Sequence, residues 1–353
     1  MTTTPTSRPR KQEAEPASPE VTEVAPNVLR LQLPVQFTGL RHVNTYALED
    51  ERGVALVDPG MPGPQSFRAL KERLTAAGIP LKRVHTVIVT HSHPDHFGGA
   101  GILRKETGAE VIAHTSFRTW FDPDEDEGLD NEPSPPPRKP WDRTTPWGGQ
   151  HPQPPLKMRL LFRLRNLARR RFPTPSPTRR VEDADVIRLA GREWVAMHTP
   201  GHTNDHLCLF DPAEGVLLSG DHVLPTITPH IAGTGGADAL NRFFESLERV
   251  GELDGVRQVL PAHGHPFTDV AGRTKDIRRH HEERLATLKN ASLGLGRPAT
   301  VAELSQHLFQ PRSWGPMADS ETFAHLEHLR LAGEAERIDA EAGSTELRYL
   351  VTG

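Results

Sequence analysis

His91-Ser92-His93-Pro94-Asp95-His96-Phe97-Gly98-Gly99 carries four side chains able to bind metal, at offsets 0, 2, 4 and 5 from His91. Immediately upstream, Val84-His85-Thr86-Val87-Ile88-Val89 is apolar and β-branched and reads as a buried strand that delivers the cluster onto a loop at its C-terminal end. Imidazole nitrogens and a carboxylate are donors that suit zinc. A turn lets residues two apart converge on one ion while the next two face another. Polar surface residues capping a helix that begins near Phe97 would not need so dense a pattern of donors.

Three further donors follow at wide intervals: His202 in Thr199-Pro200-Gly201-His202-Thr203, Asp221 in Ser219-Gly220-Asp221-His222, and His263 in Leu260-Pro261-Ala262-His263-Gly264. Each comes after apolar residues that read as strands ending where the donor begins: Trp194 to Met197, Val216 to Leu218, and Val259 with Leu260. This ordered set resembles the metallo-β-lactamase superfamily, from about Val21 to about Leu288. The resemblance implies a mixed α/β (α+β) chain folded as a four-layer αββα sandwich, with the site at one edge where loops meet. Residue by residue, it implies that His91, His93 and His202 hold a first zinc ion, that Asp95, His96 and His263 hold a second, and that Asp221 bridges them. Asp58, in Leu56-Val57-Asp58-Pro59-Gly60, matches a family position that braces the metal loop. A water shared by two zinc ions is a hydroxide near neutral pH and can act as nucleophile, and Asp95 is expected both to ligate and to orient or relay the proton. Asp95 and Asp221 are the expected catalytic residues.

Nineteen histidines cannot all be ligands. His85, His114 and His198 fall within expected strands and read as packed or hydrogen-bonded residues. His206 and His222 lie near the metal loops and are candidates for orienting the ligands. His263 is preferred to His265 for its Pro-Ala-His-Gly context. His230 closes the proline-braced loop Leu224-Pro225-Thr226-Ile227-Thr228-Pro229-His230 and is a candidate substrate contact. Cys208, the single cysteine, reads as a small buried strand residue; with no intrachain disulfide open to it, the chain suits a cytoplasmic setting.

Composition bounds the rest. A chain of 353 residues with 35% apolar content can build a core and still carry long solvated segments. Residues 1–20 lack an apolar stretch and are expected to be a disordered tail, neither signal peptide nor membrane anchor. No run approaches the roughly 18 apolar residues of a membrane span. The metallo-β-lactamase unit is drawn over 21–270, with an insertion at 121–180. This insertion begins acidic, passes through Pro133 to Pro155, and ends in a basic amphipathic helix over 156–172 with seven Lys/Arg. Such a helix suits a lid, a second subunit in a homodimer, or a membrane surface, and basic groups near the site favour an anionic small-molecule substrate.

A helical linker and a small separate unit are drawn over 271–353, similar to the winged-helix appendage of the endoribonuclease-like branch. Nucleic acid is disfavoured as its partner. From Val270 to Gly353 there are eleven Lys/Arg against twelve Asp/Glu, and the would-be recognition helix carries Asp319, Glu321 and Glu327. The leading functional expectation is a zinc hydrolase of a thioester, ester or lactone. The alternatives are an endoribonuclease or phosphodiesterase on the same site, and a sulfur dioxygenase using one Fe2+.

Overall fold

The computed structural model describes residues 11–37, 39–119, 144–149, 156, 172–233, 237–338 and 345–352. Seven strands form the first sheet in the order of the chain: β1 (Val21–Ala25), β2 (Val28–Phe37), β3 (Leu40–Asp50), β4 (Gly53–Val57), β5 (Val84–Ile88), β6 (Glu110–His114) and β7 (Arg179–Val181). β1 to β4 pair antiparallel, and β4 to β7 pair parallel. The second sheet runs β12 (Gln258–Pro261), β11 (Val216–Gly220), β10 (Leu207–Asp211), β9 (Arg192–His198) and β8 (Val186–Leu189). β4, β10 and β11 are buried along their whole length, which is why they read as unbroken apolar runs and not as alternating ones.

Tyr46, Leu48, Ile88 and Ile112 of the first sheet share a buried cluster with Ile187, Trp194, Leu209 and Leu218 of the second, so the sheets pack face to face. Helices α1 (Pro64–Ala76), α2 (Pro94–Phe97) and α3 (Ala100–Thr107) follow strands of the first sheet, and Phe67, Leu70, Leu74 and Leu103 bury against its outer face. Helices α4 (Ala239–Gly251) and α5 (Val270–Leu295) cover the second sheet. α4 begins at Asp238, whose carboxylate accepts from Asn241 N, and its stripe of Leu240, Phe243, Phe244, Leu247 and Val250 is buried. The layer order is therefore αββα, as expected.

One expectation needs correction. Residues 11–20 are not a disordered tail. Gln12–Ala14 form a turn of 3-10 helix, and the fully buried Glu13 carboxylate accepts from Thr226 N at 2.9 Å and Ile227 N at 3.1 Å. A run without apolar residues can still be ordered when a charged side chain satisfies backbone donors that would otherwise be orphaned.

The C-terminal region packs on the helices of the second sheet. Helices α6 (Val301–Leu308) and α7 (Pro316–Leu331), with the small sheet β13 (Ala299–Thr300), β15 (Arg348–Val351) and β14 (Ala335–Ile338), bury Phe323, Leu326, Leu329 and Tyr349 in one cluster with Phe243 and Leu247 of α4. α6 opens with the reciprocal Thr300–Glu303 capping box. Of the insertion, Trp147 packs on Phe323 with ring centroids 5.9 Å apart. The basic amphipathic helix lies outside the described residues except at its ends, Leu156 and Phe172. Among the described residues no helix is long and apolar enough to cross a membrane.

Candidate metal centre

Four strand ends and a short helix bring the expected donors to one edge of the sandwich. After β5 the chain turns through Thr90 to His93, and α2 carries Asp95 and His96. His202 follows β9, Asp221 follows β11, and His263 follows β12. Gly220 takes φ 50°, and a Cβ there would lie 2.6 Å from His206 Nε2. Only glycine lets the backbone pass this ring and present Asp221. The two sheets are tied at this edge: Leu207 N donates to the Thr90 carbonyl at 2.8 Å, Asn44 N to the Ala262 carbonyl at 2.7 Å, and Tyr46 Oη to the Pro261 carbonyl at 2.8 Å.

The donors fall into two groups. His91, His93, His202 and Asp221 form one, and Asp95, His96 and His263 the other, with the candidate ligand atoms of each within 4.8 Å of one another. Asp221 lies between them: Oδ2 is 3.7 Å from His202 Nε2 and 3.5 Å from His96 Nε2, and Oδ1 is 3.3 Å from His263 Nε2. His93 Nδ1 stands 3.0 Å from both His91 Nε2 and His202 Nε2. His265, the alternative to His263, points away to Glu15, with Nε2 2.8 Å from that carboxylate.

Hydrogen bonds on the far side of each ring decide which nitrogen is free. Backbone carbonyls only accept, so His202 Nδ1 donates to His230 O at 2.6 Å and His263 Nδ1 to His42 O at 2.6 Å. His96 Nδ1 donates to Asp58 Oδ2 at 2.8 Å. Thr90 gives its hydroxyl proton to Asp58 Oδ2 at 2.7 Å, so at 3.0 Å it accepts from His91 Nδ1. In all four rings Nε2 faces the cluster with its lone pair available, the orientation that metal-binding imidazoles need. Among the described residues His96 Nε2, His263 Nε2 and Asp221 Oδ1 are buried with no hydrogen-bond partner, a cost that a cation would remove.

Electrostatics point the same way. Burial, and then the neighbouring imidazoles, hold His91 and His93 well below the ordinary histidine range, and burial also lowers His202, so these rings are neutral donors. At His96 and His263 burial works downward too, but Asp221 and Asp95 outweigh it and raise both. Burial alone would raise Asp221, yet His263 and His96 pull it well below the usual carboxylate range.

A sequence profile of the Metallo-beta-lactamase superfamily matches residues 38–263. The chain belongs to that superfamily. Its site is that of a metallo-hydrolase, and the chain is 27% identical over 324 residues to the probable metallo-hydrolase YqjP of Bacillus subtilis, covering 86% of this chain and 92% of that one. It is 25% identical over 300 residues to an atrochrysone carboxyl ACP thioesterase of Aspergillus novofumigatus, covering 81% and 72% of the two chains. Among solved structures, a metallo-β-lactamase family protein of Thermus thermophilus superposes with TM-score 0.71 at 28% identity, covering 93% of this chain and 100% of that one. A β-lactamase domain protein from Burkholderia ambifaria gives TM-score 0.72 at 27% identity, with 96% of each chain covered.

Around this superfamily site the other histidines separate cleanly. His206 Nδ1 bonds Thr199 Oγ1 at 2.7 Å and its Nε2 accepts from Asp221 N at 3.0 Å, so it braces the backbone of Asp221. Among the described residues His222 bonds none of the donors, and its ring packs on Phe243. His85 pairs with Thr86 and Asp50, and His114 stacks on His198 at 3.8 Å, all outside the two donor groups. His230 offers its carbonyl to His202, and its Nδ1 lies 3.3 Å from Glu321 Oε2 of α7. Asn44 and Tyr46 escaped the sequence reading. Their only signal was polar groups within a strand that is otherwise buried.

Cys208 is fully buried, and burial pushes its thiol up to about 12. We expect no reaction with a colorimetric thiol reagent in the native protein at pH 8, and one equivalent of reaction after denaturation. Rapid labelling of the native protein would show that β10 opens.

Proposed function

We propose that the protein is a dinuclear zinc hydrolase of an acyl thioester, with His91, His93 and His202 holding one ion, Asp95, His96 and His263 the other, and Asp221 shared. The observation that carries this reading is the position of Asp221, whose two oxygens face histidines of both donor groups. Seven donors in two groups suit two ions better than the single iron of a sulfur dioxygenase. Ions bound there supply an activated water and polarise the acyl oxygen.

The chain's own residues do the rest. Asp95, with Oδ2 3.6 Å from His96 Nε2 and 3.5 Å from His263 Nε2, is placed to hold and pass on a proton at its carboxylate. Asp58 keeps His96 in the donating tautomer. His230, whose carbonyl fixes the His202 ring and whose own ring lies by Glu321, is the candidate substrate contact in this reading. The choice of a thioester is supported by the thioesterase named among the relatives. It is also supported by chemistry, because a thiolate with a pKa of about 8.5 leaves without strong help from an acid.

An RNA substrate is less well supported. On α7, Glu321 and Glu327 are buried and paired with Arg284 and Arg330, so that helix is turned into the protein and away from a nucleic-acid groove.

The test is elemental analysis of protein purified without added metal, followed by assay on acyl thioesters. Close to two zinc ions per chain, with hydrolysis that a chelator abolishes and zinc restores, is the expected result. About one iron per chain without thioester turnover would overturn the proposal.

A further inference from the structure

Beside the metal centre lies a cavity of ≈ 490 Å³ that the proposed chemistry leaves unused. It is lined by Thr226 and Thr228, in the loop that runs on to His230, and by Arg273 and Arg284 of α5. Lys11 and Glu321 complete the rim. The cavity adjoins the centre through two contacts. Thr228 is two residues before His230, whose carbonyl accepts from His202 Nδ1, and Glu321 touches the His230 ring.

Two cations at this cavity, Lys11 and Arg273, stand outside direct ion pairs, with the Glu13 carboxylate lying behind Thr226. Glu321 is taken up by Arg284 and His230, while Asp276 and Glu283 are both engaged by Arg279, at 2.6 Å and 3.9 Å. Arg273 directs its donors to two neutral acceptors, the carbonyls of Leu224 and Ile227, each at 2.6 Å. Asp276 and Glu13 act on Arg273 through space, but among the described residues no carboxylate pairs with Arg273 or with Lys11. Two cations without a directly paired carboxylate, Thr228 and the His280 ring therefore face one polar cavity, while the Thr226 hydroxyl is taken by Glu13. An anion with several acceptor oxygens satisfies that combination best.

We propose that this cavity is a subsite for an acidic group, a phosphate or a carboxylate, carried by the thiol-bearing half of the substrate. The proposal rests on the thioester reading and adds what selects among thioesters.

The test compares two substrates that differ by one phosphate, acetyl-pantetheine and its 4′-phosphate, with the zinc-loaded full chain. A charge-assisted contact in such a cavity is worth on the order of tenfold or more in affinity. We therefore expect the wild type to prefer the phosphorylated thioester by at least about tenfold in kcat/KM. Lys11→Ala and Arg273→Gln should bring that ratio towards one, a readout that cancels any general loss of activity. No preference in the wild type, or a preference both variants keep, overturns the proposal.

If neither thioester is cleaved, the substrate reading fails and the subsite is judged by calorimetric binding of inorganic pyrophosphate. Binding weakened about tenfold in both variants supports the subsite, and unchanged binding overturns it. Pyrophosphate that lowers turnover of both thioesters equally would identify a free anion as the occupant and would also overturn the proposal.

Discussion

Asp221→Ala is expected to lower metal content and turnover together. The carboxylate faces His96, His202 and His263 in a buried site, so alanine leaves both donor groups without their shared anion. Removing one partner of a buried charged cluster costs roughly 3–5 kcal/mol. At about 1.4 kcal/mol per decade, a loss of that size in the transition state is roughly 10²–10⁴-fold in turnover. The measurement is zinc per chain beside kcat on one thioester. Thermal denaturation in chelator distinguishes a folded, metal-poor variant from an unfolded one. Retained activity with full metal would overturn the bridging role.

The second large effect is expected from Asp58→Asn. The Asp58 carboxylate is buried and accepts from Thr90 N at 2.9 Å, from the Thr90 hydroxyl and from His96 Nδ1. Its backbone sits at φ 56°, a conformation that asparagine tolerates well and alanine does not. The carbonyl oxygen of the substituted amide can still accept from Thr90 N, so the fold should survive. Its NH₂ group donates where the carboxylate accepted. That drives His96 towards the tautomer with the proton on Nε2, which cannot bind metal. Loss of such a supporting bond typically weakens metal binding about 10–100-fold, and here the weakening should fall on one ion of the two. Chelator titration followed by elemental analysis should therefore find about one zinc retained where the wild type keeps two. Equal retention in the two proteins would exclude this tautomer effect.

The donors themselves were legible in the sequence because their chemistry is local. His91, His93, Asp95 and His96 lie within one turn, and each later donor follows a strand that its own apolar run announces. The same holds for the strands read before the donors, which recur as β5, β9, β11 and β12 with ends shifted by at most two residues. What spacing could not reveal was everything that acts between distant segments through hydrogen bonds. Glu13 was placed in a tail because nothing near it is apolar, yet its partners are Thr226 and Ile227, more than two hundred positions away. Strand β1 and the three-residue β7 are short edge strands with little burial, and the sequence reading passed over both.

Sequence alone thus determined the kind of chemistry and the kind of fold, since ligand type, order and hydrophobic period are properties of the chain. Only the tertiary structure decided which nitrogen of each imidazole faces the cluster, because that depends on carbonyls and carboxylates brought in from elsewhere: His42 for His263, His230 for His202, Asp58 for His96. It also decided that α7 lies against the loop that carries His230. Burial of Phe323 and Tyr349 against α4 seats α7 so that Glu321 reaches His230. That placement comes from packing a shared core, and no local pattern in the sequence encodes it.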